Sequence, residues 1–138
     1  MLGVSVKRHR ETNGRIIQEK VGDINGTLFT YLRRKARERN LAFEISKEYL
    51  WELFLSQDGK CALSGVPIQI SSKLLGTNST GKRIDRTYHT ASLDRIDNTL
   101  PYIEGNLQWV HKIINGMRRQ YTVEEYIDWC KCVAGYNS

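Results

Sequence analysis

Oxygen-bearing side chains mark both ends of the segment SLDRIDNTLPYIEGNLQWVHKIINGM, residues 92–117. Cleavage of a phosphodiester needs a hard cation to neutralise charge on the phosphate, and Mg²⁺ prefers carboxylate and amide oxygens as ligands. Asp94 and Asn106 are therefore the natural ligand pair for one Mg²⁺ or Mn²⁺ ion. Asn115 either completes this site or orients Asp94, or it caps a helix end together with Gly116.

The elements around these residues are predicted to form a strand, a second strand and a helix, over about residues 90–118. The segment ASLDRID alternates apolar and polar residues as a strand does, and NTLPYIEG is typical of a turn followed by a short strand. Asn106 is expected to open the helix, whose apolar face would carry Leu107, Val110, Ile114 and Met117.

Upstream, the segment LFTYLRRKARER has the pattern of an amphipathic helix beginning near Thr27, with Leu28, Leu32 and Ala36 on its apolar stripe. Its other side is strongly basic and is expected to contact DNA phosphates, unless it is merely a solvated surface. The expected DNA-binding residues are Arg33, Arg34, Lys35, Arg37 and Arg39.

Three further elements are predicted from local signals. Ser46 can cap a second helix, KEYLWELFLSQ, and CALSGVPIQI is typical of a tight hairpin followed by a loop over residues 71–90. Thr122 and Glu125 form a capping box before a last helix. We therefore expect an α+β domain over residues 27–138, preceded by a basic flexible arm over residues 1–26.

Composition favours a nucleic acid as the partner. The net charge is +6 and the pI is about 9.3, so basic side chains would displace counterions from a polyanion such as double-stranded DNA. No apolar run is long enough to cross a membrane, and the first ten residues lack a signal segment, which predicts a cytoplasmic protein. The three cysteines include no CxxC pair, so neither disulfides nor structural zinc is expected.

The segment Asn106–Trp109, followed by Asn115, resembles the second half of the motif of HNH (ββα-metal) endonucleases. The segment 28–68, with its basic helix, WELF helix and CALSG hairpin, is similar to the leader of phage-type members. The resemblance implies a metal-dependent DNA endonuclease of phage or mobile-element origin, for instance a homing enzyme. It also implies a ββα-metal core.

One departure from the family concerns the general base. Arg95 stands where these nucleases have a histidine, and an arginine remains protonated and cannot accept the proton of water. Arg95 could instead contact the scissile phosphate. His111, four residues before Asn115 and so on the same helical face, is the first substitute base, and His89 is the second unless it is an ordinary surface residue.

A second departure gives His111 another interpretation. Zinc-bearing members have two CxxC pairs, and Cys61 matches one of those cysteines while Ser64, His111 and Ile114 occupy the other three positions. His111 would then fill a vestigial zinc pocket. Asp97 is likewise open between an outer metal contact and a turn with Asn98.

The Arg95 substitution keeps two other function classes open. One is a DNA-binding protein that has lost cleavage, and the other is an RNA-binding or structural module that needs no metal. A single site would nick one strand, so cutting both strands requires two visits or a homodimer.

Overall fold

The computed structural model of the chain describes residues 6–10, 16–71 and 89–138. Its strands are β1 (Val6–Arg10), β2 (Ile16–Val21), β3 (Phe43–Glu44), β4 (Ala91–Arg95), β5 (Tyr102–Ile103) and β6 (Leu107–His111). Its helices are α1 (Gly26–Glu38), α2 (Lys47–Ser56), α3 (Lys112–Arg118) and α4 (Val123–Tyr136). This mixture of helices and short strands confirms the predicted α+β class.

Capping residues set the helix boundaries: the predicted caps Ser46 and Thr122 are confirmed, and Asn25, which was not predicted, caps the first helix. Asn25 Oδ1 accepts the Leu28 N–H at the start of α1, and Ser46 Oγ accepts the Tyr49 N–H at the start of α2. Both partners of the predicted capping box begin α4, since Glu125 N–H donates to Thr122 Oγ1 and Thr122 N–H donates to Glu125 Oε1. Each cap satisfies backbone N–H groups that the first helical turn leaves unpaired.

The expected hairpin in CALSGVPIQI is a tight turn. Cys61 N–H donates to the Val66 carbonyl at 2.8 Å, Gly65 N–H donates to the Cys61 carbonyl at 2.9 Å, and Lys60 forms an antiparallel bridge with Pro67. The turn then meets β6, because Ala62 N–H donates to the Trp109 carbonyl at 3.0 Å. Of the loop predicted over residues 71–90, residues 72–88 lie outside the described residues.

The prediction of a flexible arm over residues 1–26 does not hold for its last part. Val21 and Ile24 are fully buried, and their backbones bridge each other in a tight turn before α1. Ile24 belongs to the same core as Leu28, Leu50 and Trp109. Two apolar residues in a polar stretch gave no periodic signal, so the sequence pattern did not reveal that they anchor this segment.

Gly22 shows how closely this turn packs on α2. Its φ is +56°, and a Cβ added there would lie 2.0 Å from Cε2 of the Trp51 indole. We expect Gly22→Ala to lower the free energy of unfolding by about 3 kcal/mol, since the left-handed conformation and the overpacking are both unfavourable. Urea unfolding followed by fluorescence measures the loss.

Gly65→Ala is the matched control for that prediction. Gly65 also has a positive φ, +75°, but no atom lies within 4 Å of an added Cβ. This variant should therefore lose only about 1 kcal/mol, from backbone strain alone. Equal losses for the two variants would show that the Trp51 contact contributes nothing.

The strand–strand–helix order is present, but its second strand lies later in the chain than predicted. β4 pairs in antiparallel register with β6, whereas β5 pairs in parallel with β3. Asn106 therefore precedes a strand, and the helix that it was expected to open begins instead at Lys112. The apolar spacing through Leu107 and Val110 fits a helix, but pairing with β4 satisfies this backbone as a strand.

Candidate active site

The two faces of the β4–β6 hairpin carry different side chains. Leu93 lies opposite Trp109, and both are buried in the hydrophobic core. Asp94 lies opposite Gln108, on the other face, because successive side chains of a strand alternate between faces. We call this second face, which also carries Ser92 and the buried Val110, the polar face of the hairpin.

Helix α3 covers the polar face. Asn115 Nδ2 donates to Ser92 Oγ at 2.7 Å, and Ser92 lies two residues before Asp94 and so on the same face. Asn115 thus lies on the same side of the hairpin as Asp94, as predicted for a shared site. Its side chain bonds to β4 rather than to the end of α3, which excludes the helix-capping alternative.

The Asp94 carboxylate is buried and paired. Only 6% of the residue is exposed, and its Oδ2 accepts hydrogen bonds from Gln108 Nε2 at 2.9 Å and from Arg118 Nη1 at 2.5 Å. Burial raises the pKa of Asp94, although the bonds from Gln108 and Arg118 act in the opposite direction. A guanidinium therefore neutralises the carboxylate that was predicted to bind the metal.

Arg118 is itself fully enclosed. Its guanidinium also donates to the carbonyls of Arg95, at 3.1 Å, and Ile96, at 3.0 Å, so it ties α3 to the end of β4. Its Nε is buried without a hydrogen-bond partner. A buried donor of this kind is costly to leave unpaired.

Asn106 holds the loop between β4 and β6 rather than joining Asp94. Its Oδ1 accepts the Asp97 N–H at 2.8 Å, and its Nδ2 donates to the carbonyls of Asp97, at 3.1 Å, and Pro101, at 3.0 Å. Both ends of the amide are thus occupied by backbone. The predicted helix start at Asn106 is wrong, because a strand follows it, and its side chain turns into the loop rather than toward Asp94.

Arg95 also binds this loop. Its Nη1 donates to the carbonyls of Asn98, at 2.8 Å, and Leu100, at 2.9 Å, while its guanidinium lies 5.5 Å from the centre of the Tyr102 ring. The Tyr102 hydroxyl accepts a bond from Arg39 Nη1 at 3.4 Å. Tyr102 therefore brings the basic end of α1 next to the end of β4, which no sequence pattern had indicated.

Asp97 begins a turn, which is the second of the two interpretations left open for it. Its Oδ1 accepts bonds from the N–H and the hydroxyl of Thr99, at 2.8 and 2.6 Å. These bonds hold the pKa of Asp97 below its usual range. The carboxylate is exposed and belongs to the loop.

His111 lies on the wrong side of the hairpin to act as a base beside Asp94. It is the last residue of β6, opposite Ala91, and Ala91 lies on the core-facing side of β4. Its Nδ1 accepts the Ile113 N–H at 3.1 Å and so caps α3. The predicted helical alignment of His111 with Asn115 is wrong, since α3 begins only after His111.

Three of the four positions of the expected vestigial zinc pocket come together, namely Cys61, Ser64 and the backbone of His111. Cys61 Sγ accepts the Ser64 N–H at 3.4 Å, and the backbone of His111 also bonds to it. Burial raises the pKa of the Cys61 thiol, but the bonds from the Ser64 side chain and from the backbones of His111 and Ser64 outweigh it, so the pKa is lowered overall. The thiol thus packs in a nest of N–H donors at the turn.

His89 accepts the Ser71 N–H at 3.2 Å through Nδ1. Ala91 and Asp94 are about 10 Å apart along the strand, and His89 lies two residues farther upstream. The structure therefore does not bring His89 to Asp94, and the prediction of a base there receives no support from its position.

The basic side of α1 is exposed as expected. Arg33, Arg34, Arg37 and Arg39 are exposed and Lys35 is half-buried, and the helix also carries one acid, Glu38, which lies 3.7 Å from Arg34 and 3.6 Å from Lys35. Exposed pairs of this kind stabilise little and compete weakly with a ligand. The surface is suited to phosphate groups.

Sequence reasoning missed Arg118 and Gln108. Arg118 follows Asn115 by three residues on the same helix, so its proximity to Asn115 could have been inferred once that residue was placed at the site. Gln108 could have been found only from the register of β4 and β6, because it bonds to a residue 14 positions away.

Comparison with family models, with curated proteins and with solved structures finds no match for this chain. In residues 6–10, 16–71 and 89–138, no three or more His, Cys, Asp or Glu side chains gather as a metal-binding group. No helix of the described part is long and apolar enough to span a membrane.

Proposed function

We propose that the chain binds double-stranded DNA and hydrolyses its phosphodiester bonds with one divalent cation. The observation that carries the proposal is the polar face of the hairpin, where α3 holds Asn115 and Arg118 against Ser92 and the buried Asp94. A carboxylate with amide groups beside it is a ligand set that suits Mg²⁺, and a guanidinium beside it suits a phosphate.

The donor set fits Mg²⁺ or Mn²⁺ in its chemistry. Asp94 offers a carboxylate, and Gln108 and Asn115 offer amide oxygens once their side chains turn away from their present partners. A bound cation supplies charge neutralisation at the phosphate and a water molecule of lowered pKa. A cation held by Asp94, Gln108 and Asn115 would compete with Arg118 for the Asp94 carboxylate.

Positive charge on the other side of the loop fits the DNA backbone. Arg39 and Arg95 meet at Tyr102, beside the end of β4, and the exposed face of α1 continues from Arg39. A DNA backbone bound along α1 would thus continue toward the strand that carries Asp94. Neither His89 nor His111 faces that strand end, and the proposal assigns neither as the base.

The second candidate is a DNA-binding protein without cleavage. It is favoured by the Asp94–Arg118 ion pair, in which a guanidinium already satisfies the only charged ligand of the proposed site. In that case the polar face is structural, and α1 alone contacts the nucleic acid. Both candidates bind DNA through the basic surface of α1. They differ in whether a divalent cation enables cleavage of that DNA.

Nicking of supercoiled plasmid tests the choice. The native chain is incubated with Mg²⁺, with Mn²⁺ or with EDTA, and open circular DNA is measured over time. Nicking that requires the cation supports the endonuclease. DNA binding that is equal in EDTA and Mg²⁺, with no nicking in any sample, would overturn it in favour of the second candidate.

The basic face of α1 predicts a salt dependence. Arg33 and Arg37 lie one turn apart and are both exposed. Arg33→Gln with Arg37→Gln is expected to lower the slope of log affinity against log salt by roughly 2, since each lost phosphate contact contributes about 0.9. Fluorescence anisotropy of a labelled duplex over a salt series measures the slope.

The matched control removes the same charge elsewhere. Lys60→Gln with Lys131→Gln takes two positive charges from exposed positions away from α1. Its slope should stay close to that of the native chain. If both double variants change the slope equally, net charge rather than α1 determines binding.

A further inference from the structure

Helix α4 lacks a buried side chain. It spans Val123–Tyr136, and Trp129, Val133 and Tyr136 on one of its stripes are 63%, 61% and 92% exposed. A helix of about this length is only marginally stable in water by itself. Most helices of this size are held by an apolar face packed on a partner, and within the described residues α4 has little of this packing.

The exposed stripe continues onto the end of α3. Met117 and Tyr121 are 60% and 50% exposed, and together with Trp129 and Val133 they line a groove of about 450 Å³. Ile113, one turn before Met117, is exposed as well. We call this surface the α3–α4 face, and it consists of Ile113, Met117, Tyr121, Trp129, Val133 and Tyr136.

The size of this face fits a stable interface. An aromatic side chain has about 150–250 Å² of surface, so at their exposed fractions Tyr121, Trp129 and Tyr136 together expose roughly 300–500 Å². With the three aliphatic side chains the face approaches the roughly 800 Å² that each partner buries in a standard interface. It is larger than the apolar patches of most monomeric proteins.

We propose that the α3–α4 face binds the same face of a second copy of the chain. A two-fold interface uses one surface on both sides, and two such helix pairs would bury each other's apolar stripes as in a helical bundle. Asp128 and Lys131 lie one turn apart beside the stripe, so antiparallel pairing of the two α4 helices puts each acid near the partner's base.

Charge also separates this face from the basic surface of α1 that is proposed to bind DNA. α4 carries three acids, Glu124, Glu125 and Asp128, and one base, Lys131, in a chain whose net charge is +6. An apolar and locally acidic surface is unsuited to a polyanion. A dimer formed through it would therefore leave the basic face of α1 available.

Sedimentation equilibrium of the full chain, from about 1 to about 200 μM, tests the dimer. Native protein is expected to form dimers within this range. Trp129→Glu and Val133→Glu should each raise the dissociation constant at least about 30-fold, as central interface residues do. Both side chains are mostly exposed in the single chain, so these changes leave its core intact.

Leu55→Glu is the matched control. Leu55 is 54% exposed on α2, outside the α3–α4 face, and its replacement should leave the dissociation constant unchanged. Far-UV circular dichroism verifies folding of all three variants. A native chain that stays monomeric at the highest concentration, or a shift as large for Leu55→Glu, would overturn the proposal. The measurement uses neither DNA nor metal, so its outcome is independent of the nuclease assay.

Discussion

The double variant Asp94→Asn, Arg118→Met is expected to nick supercoiled plasmid at least about 1,000-fold more slowly than the native chain in Mg²⁺. Asp94 supplies the charged oxygen donor of the proposed site, and an amide binds a hard cation far more weakly. Replacing both members of the pair leaves no unpaired charge in the interior. The decrease in nicking rate, measured at matched folded fractions, then reports on the chemistry of the site.

Asp97→Asn provides the isosteric control. Asp97 is three residues farther along the chain, exposed, and bonded to Thr99 in the loop turn. Its nicking rate should stay within about twofold of the native rate, as for most surface substitutions. If Asp97→Asn is as slow as the double variant, or if the double variant keeps the native rate, Asp94 is not the metal ligand.

The parts of the fold that were predictable from sequence are those set by local hydrogen bonds. Ser46 and Thr122 each accept an N–H from the first turn of the following helix, and such contacts depend on residues only three positions apart. The strand Ala91–Arg95 was also predictable, because its alternation matches the two faces of the hairpin.

The parts that failed depend on contacts between residues far apart in the chain. The segment Leu107–His111 has helical apolar spacing, but β4 is available to pair with it, and this pairing decides its conformation. Asn106 and His111 were assigned to the site on the assumption of that helix. Once the segment is a strand, Asn106 turns into the loop and His111 turns toward the core-facing side.

Two residues at the polar face, Asp94 and Asn115, were predicted from sequence, and a third, Arg118, was not. Asp94 and Asn115 were expected together and do lie on one side of the hairpin, linked through Ser92. The guanidinium of Arg118 was not expected there, because a basic residue in the last turn of a helix has an ordinary explanation in the helix dipole. Burial, rather than residue type, distinguishes Arg118 from its exposed neighbour Arg119.

Removal of the Arg118 guanidinium alone should be strongly destabilising. Arg118→Met is expected to lower the free energy of unfolding by about 3–5 kcal/mol, because it leaves the buried Asp94 carboxylate without its charged partner. It also removes the bonds to the carbonyls of Arg95 and Ile96. Urea unfolding at constant ionic strength measures the loss.

The loss should depend on pH. Burial raises the pKa of Asp94, and removing Arg118 takes away a contribution that lowers it, while Gln108 and Arg95 remain. The native state of the variant then keeps a proton on Asp94 at pH values where the unfolded chain has lost it. Its stability therefore falls as pH rises through that window, so the deficit is larger at about pH 8 than at about pH 5.

Two comparisons separate the ion pair from a general effect of removing an arginine. Arg119→Met removes the exposed neighbouring guanidinium and should change stability by no more than about 0.5 kcal/mol. Asp94→Asn with Arg118→Met should recover much of the stability lost in Arg118→Met, because no buried charge is left unpaired. If Arg118→Met costs no more than Arg119→Met at either pH, Arg118 is not the counterion of Asp94, and a cation would reach the carboxylate without displacing it.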